Sequence, residues 1–214
     1  VSNRKTVGNP DVVGKWLKVY ESVGIVENYQ IRSKTYPVQI LLPSGYDKTK
    51  QYDITYMFGR HMRYRDAGDD AQMGDRILYS DSWGVANSIK KMEAAGQNPG
   101  IIVVVYAQLP EFTPWENEEF MGTGKADEFL NGVVKQLIPT LEAKYPVITT
   151  NRTIMGADVA GLFAYYAAVK HPTVFGSCGL FSPSFWYNRA EIETFIENVK
   201  PSEDNKTKFV FTLT

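Results

Sequence analysis

The chain has 214 residues, 43% of them hydrophobic and 22% charged, with a formal net charge of -1. That length and composition predict one soluble domain with one sizeable core. The near-neutral balance gives no electrostatic case for nucleic acid or an anionic membrane surface. No apolar run approaches the roughly 20 residues that span a bilayer, and a single cysteine, Cys178, excludes an internal disulfide and a CxxC metal knuckle.

Residues 1–24 read as an N-terminal arm over the sheet, broken by Gly8, Pro10 and Gly14. The first ten are mostly polar, so no signal peptide is expected, and the missing initiator Met marks a cut or excerpted start. Val26–Ser33 and Tyr36–Leu42 are strand-like, with a hairpin turn expected at Ser33-Lys-Thr35. Tyr52–Phe58 is the next strand and ends abruptly at Gly59-Arg60-His61-Met62. A long polar stretch to Ser80 follows, holding Asp66, Asp69, Asp70 and Asp75. A loop of that length is either a solvated excursion or the carrier of a site or lid. Asp81 or Ser82 can cap a helix through Ala95, stopped by Gly96. Ile101–Tyr106 is a continuous apolar run, the mark of a central parallel strand covered on both faces. Gln108–Lys125 reads as a loop rich in acidic and aromatic residues, among them Trp115 and Glu116. Asp127–Tyr145 is an amphipathic helix, kinked at Pro139 because proline lacks the amide donor.

The next stretch organises the rest. A short strand, Thr153-Ile-Met155, runs through Gly156 into a tight turn at Ala157-Asp158-Val159, and then into an apolar helix, Gly161–Lys170. Strand, sharp turn and helix is the layout of a nucleophile elbow. The small residues Gly156, Ala157, Ala160 and Gly161 let the two backbones approach. An acyl-transfer elbow normally carries Ser at its middle, and here that residue is Asp158. His171-Pro172 ends the helix. Gly176–Phe181 is a buried strand in which Cys178 is an inert thiol. Ser182-Pro-Ser-Phe-Trp186 leads to a helix over Arg189–Val199, and Lys208–Leu213 is the last strand. Strands alternating with helices from residue 52 onward predict a doubly wound, mostly parallel α/β sheet, with an N-terminal antiparallel hairpin at one edge.

Several of these words together resemble the esterase family of α/β-hydrolases, the esterase D and enterochelin-esterase-like group. They are Tyr36-Pro-Val-Gln-Ile-Leu-Leu-Pro43 with Gly45-Tyr-Asp47, Trp83-Gly-Val85, Gly124-Lys-Ala-Asp127, Leu137-Ile-Pro139, Ile154-Met-Gly156, Gly161-Leu162, Lys170-His-Pro172 with Val174-Phe-Gly176, and Phe181–Trp186. The resemblance implies an α/β-hydrolase domain over residues 25–214, apparently truncated at its C-terminus. The family's Gly-x-Ser-x-Gly-Gly maps onto Gly156–Gly161, with Asp158 in the nucleophile's place and Ala160 in a glycine's. The oxyanion region maps onto Gly59 and Arg60, where the family shows His-Asp-Gly-Gln or similar, together with Val159 beside the nucleophile position. Trp115, Glu116, Phe185 and Trp186 are the expected pocket wall. The family's acid and histidine follow the last strand, which puts the histidine beyond Thr214.

Asp158 has no hydroxyl to activate, and it sets a negative charge where an oxyanion would form. Loss of a triad serine costs on the order of a million-fold in turnover, so no serine-esterase activity is expected. Two readings stay open. In one, the site is degenerate or rebuilt and the chain is a binding or structural module. In the other, the chain is a working hydrolase, either esterase-like with its site completed by residues beyond this sequence, or with Asp158 as a covalent nucleophile, as in the haloalkane dehalogenases and epoxide hydrolases of similar architecture. That chemistry needs a histidine to activate water; His61 is the candidate at the mouth, and His171 reads as a structural end residue. Asp158, His61 and the Asp66–Asp75 cluster include hard oxygen ligands, but their spacing matches no metal loop, so neither metal nor cofactor is expected. Arg60, Arg63 and Arg65 are expected to pair with neighbouring aspartates. The expected partners are a small ester-like ligand and a second copy or partner chain covering the edge at the last strand.

Overall fold

The computed structural model describes residues 25–59, 72–73, 76–77, 85–117, 122–199 and 207–212. The N-terminal arm, most of the polar stretch after Gly59, the caps at Asp81 and Ser82, and Glu118–Phe120 lie outside the described residues.

Seven strands form the central sheet: β1 Ile25–Ile31, β2 Lys34–Leu41, β3 Tyr52–Gly59, β4 Ile101–Tyr106, β5 Val147–Ala157, β6 Ser177–Phe181 and β7 Lys208–Thr212. Their spatial order is β1-β2-β4-β3-β5-β6-β7. β2 pairs antiparallel with both β1 and β4, whereas every pair from β4 to β7 is parallel. The doubly wound, mostly parallel sheet with an antiparallel hairpin at one edge is therefore present. The helices are α1 Val85–Ala94, α2 Leu109–Phe112, α3 Ala126–Gly132, α4 Ile138–Lys144, α5 Val159–Lys170 and α6 Arg189–Asn198.

Alternation along β3 splits the core. Ile54, Tyr56 and Phe58 join the large cluster that includes Phe129, Leu137 and Phe163 from α3 to α5. Met57 joins a second cluster with Val85 of α1, Leu41 and Val104. The neighbouring strands β3 and β5 thus send the chain to opposite faces, β3 toward α1 and β5 into α5. In an open α/β sheet, ligand crevices form at the carboxyl ends of strands where the winding reverses in this way.

Local departures from the expected elements have local causes. The hairpin turn sits at Arg32 and Ser33 instead of Ser33–Thr35, with Arg32 at φ 59° and its amide donating to Gln136 Oε1 at 2.5 Å. The segment read as a loop from Gln108 contains one helical turn, α2, started by a proline in its first turn and a capping box between Gln108 and Glu111. The long helix runs on through Pro139 because a π turn, Val133–Leu137, precedes it. The wider turn accommodates the missing donor without ending the helix. Gly96, at φ 74°, closes α1: its amide donates to Glu93 O and that of Gln97 to Met92 O, the left-handed glycine stop that was expected.

Two further features matter below. Tyr52 pairs with Val147 but Ile54 with Arg152, so two steps along β3 correspond to five along β5. Arg152 then makes a two-pronged ion pair with Glu142 of α4, Nε to Oε1 at 2.6 Å and Nη2 to Oε2 at 2.8 Å. Tyr56 donates its hydroxyl to Glu142 Oε1 at 3.3 Å.

Candidate functional site

Asp158 stands at the crest between β5 and α5, as the N-cap of the helix, with φ 56° and ψ -126°. A left-handed φ is costly for a residue with a Cβ and persists only where its surroundings over-determine it. Here they do. Asp158 N donates to Phe181 O at 3.1 Å, and the Asp158 carbonyl accepts from Gly161 N, Leu162 N and Ser184 N at 3.0 to 3.1 Å. The turn also requires close backbones. A Cβ on Gly156 would lie 2.1 Å from Ala160 O, and one on Gly161 would lie 3.1 Å from Pro183. The helix begins at Val159, two residues before the expected Gly161, with the Asp158 carbonyl accepting the first helical amides, those of Gly161 and Leu162.

The carboxylate of Asp158 accepts a short hydrogen bond on Oδ1 from Ser184 Oγ. Ser184 is 1% exposed. It sits in a second tight turn, after β6, in which Ser182 has φ 41° and donates its amide to Thr212 O at 2.8 Å. Ser184 was not among the residues singled out as a site from the sequence. Its only sequence signal is the Ser182-Pro-Ser word.

Gly59 ends β3 beside this crest, since Phe58 pairs with Gly156, and it is buried. Arg60 and His61 lie outside the described residues. Val159 and Ala160 are buried in the first turn of α5. Of the four expected wall residues, Phe185 and Trp186 follow Ser184 directly. Phe185 packs on Tyr165 at 5.2 Å, and Trp186 is 61% exposed. Trp115 instead packs edge-on against Tyr166 and Phe195, at 5.7 and 5.8 Å. It lines a cavity of about 450 Å³ with Ala190, Glu191, Thr194, Phe195 and Asn198 of α6. The Glu116 carbonyl accepts from Asn188 Nδ2 at 3.1 Å, tying this loop to the α6 N-terminus. His171 caps the far end of α5, 12 residues of helix and thus about 18 Å from Asp158. Burial first, then the neighbouring Lys170, hold its imidazole below the ordinary value. It is an end residue and cannot reach the crest.

Among the described residues there is no group of three or more His, Cys, Asp or Glu able to hold a metal ion. No helix among them is long and apolar enough to cross a membrane.

The sheet order and the helices on its two faces define an α/β-hydrolase fold, and solved structures agree. The enterobactin and salmochelin hydrolase IroE superposes with a TM-score of 0.64 at 14% identity, over 92% of this chain and 90% of that one. The family model described as "Putative esterase" matches residues 31–209, and the chain belongs to that family. Two curated relatives align over part of their length. The uncharacterized protein YbbA of Bacillus subtilis (strain 168) is 30% identical over 130 residues, 54% of this chain and 51% of that protein. The siderophore triacetylfusarinine C esterase of Aspergillus fumigatus is 32% identical over 89 residues, 39% of this chain and 30% of that protein. The alignments therefore span about half of the first relative's length and less than a third of the second's.

Proposed function

We propose that this chain is an esterase-family protein that binds a small ester-like molecule at the crest without hydrolysing it through a serine. In this reading the strand-to-helix turn is a nucleophile elbow whose hydroxyl has been replaced by the carboxylate of Asp158. The observation that carries it is a carboxylate at the left-handed crest, hydrogen-bonded by a buried serine. Attack by an alcohol builds negative charge on the substrate carbonyl oxygen close by. A fixed carboxylate there raises that barrier. The ligand class is supported by the family and by the exposed Trp186 beside the crest; the Aspergillus relative is named for an ester substrate. Gly59 and Val159 would border the ligand carbonyl.

A second reading has one observation in its favour: Asp158, at the turn between strand and helix, is partly exposed. It would then be a covalent nucleophile, with His61 activating the hydrolytic water. The experiment is to incubate the chain with p-nitrophenyl esters and with alkyl halides, following product release and intact mass. The expected result is saturable quenching of tryptophan fluorescence by the ester, reduced in Trp186→Ala, with neither turnover nor adduct. Turnover abolished by Asp158→Asn, or an adduct mapped to Asp158, would establish the second reading in place of the first.

A further inference from the structure

We propose that Ser184 is the positioning residue of this site and that it mutes the Asp158 carboxylate. The inference rests on the reading of Asp158 as the group facing the ligand. Ser184 holds residue 158 twice: its amide donates to the Asp158 carbonyl at 3.0 Å, and its hydroxyl donates to Oδ1. The amide bond fixes the strained backbone of the crest, and the hydroxyl fixes the direction of the side chain. Pro183 seats the same turn against Gly161, so closely that a Cβ there would lie 3.1 Å from it. Ser182, at φ 41°, bends the chain so that a buried hydroxyl arrives at the carboxylate from the neighbouring strand end. A hydrogen bond to a charged acceptor is stronger than one between neutral groups. For a carboxylate oxygen to attack carbon, its charge must leave, and the Ser184 hydrogen bond weakens as it does. The hydroxyl therefore stabilises the resting carboxylate more than the transition state of attack.

The test uses a small terminal epoxide, 1,2-epoxybutane, on the full chain. A carboxylate oxygen forms a bond to the terminal carbon, the ring C–O bond breaks, and the alkoxide takes a proton from water to leave a hydroxyalkyl ester. Labelling rates are read peptide by peptide by mass, with the exposed Asp53 as internal reference. Ser184→Ala should label Asp158 about tenfold faster than the unaltered chain does, while Asp53 labels at the same rate, as expected for one lost hydrogen bond to a charged group. An unchanged or slower Asp158 rate overturns the muting role. A rise at Asp158 and Asp53 alike marks general loosening and also overturns it. Asp158 unlabelled in both proteins overturns the reading of Asp158 as ligand-facing, and the role of Ser184 with it.

Discussion

Glu142→Ala should be among the more destabilising single changes outside the crest. The Arg152 and Glu142 side chains are 15% and 11% exposed. Removing one partner of a buried pair leaves an uncompensated charge, a loss of about 3–5 kcal/mol. Once the carboxylate is gone, the Val174 carbonyl lies 3.5 Å from Arg152 Nη1, too far for a good bond, and the buried Tyr56 hydroxyl loses its acceptor. The 15% exposure left to the guanidinium places the cost near the lower end, about 3 kcal/mol. For a chain of this length each kcal/mol moves Tm by about 2–4 °C, so the variant should melt roughly 6–12 °C lower. Scanning calorimetry and urea unfolding followed by circular dichroism would both register this. Pairing Glu142→Leu with Arg152→Met removes the stranded charge and should recover more than half of the loss. A single variant costing under about 1 kcal/mol, or a double variant no better than the single, would refute the reasoning.

Three other outcomes are expected. Gly156→Ala places a methyl on the Ala160 carbonyl, where only backbone can yield, and should cost about 3 kcal/mol or more in urea unfolding. Asp158→Asn should lower stability at neutral pH by about 0.3–1 kcal/mol, because the N-cap position favours a negative charge; equal stability would count against that placement. Burial pushes the Cys178 thiol up to about 12. The reactive thiolate is therefore scarce up to pH 9 and grows only as pH approaches that value, so an aromatic disulfide reagent at pH 8 should modify Cys178 in guanidinium and not in the native protein.

What the sequence disclosed follows from the range of the interactions involved. Ile101–Tyr106 was read to the residue because an unbroken apolar run reports two covered faces. Gly96 was legible because a left-handed helix stop favours glycine, and the bend at Asp158 because small residues at fixed offsets mark close backbones. α2 was missed because one turn has no periodicity, although Gln108 and Glu111 held its capping signal. The π turn before Pro139 was invisible because one wide turn barely moves the apolar stripe. Trp115 could be expected in a wall from its chemistry, but the side to which a loop aromatic turns, here onto Tyr166 and Phe195, depends on neighbours distant in sequence. Ser184 lay out of reach because its bond to Asp158 spans 26 residues and depends on two strand ends meeting.

The uneven pairing of β3 with β5 has a practical corollary. Thr149, Thr150 and Asn151 are exposed, and the ladder resumes in step from Arg152 to Gly156. The surplus length is slack paid out upstream of the crest. A short epitope spliced between Thr149 and Thr150 should therefore be absorbed there, giving a handle for immobilisation that leaves the turn at Asp158 undisturbed.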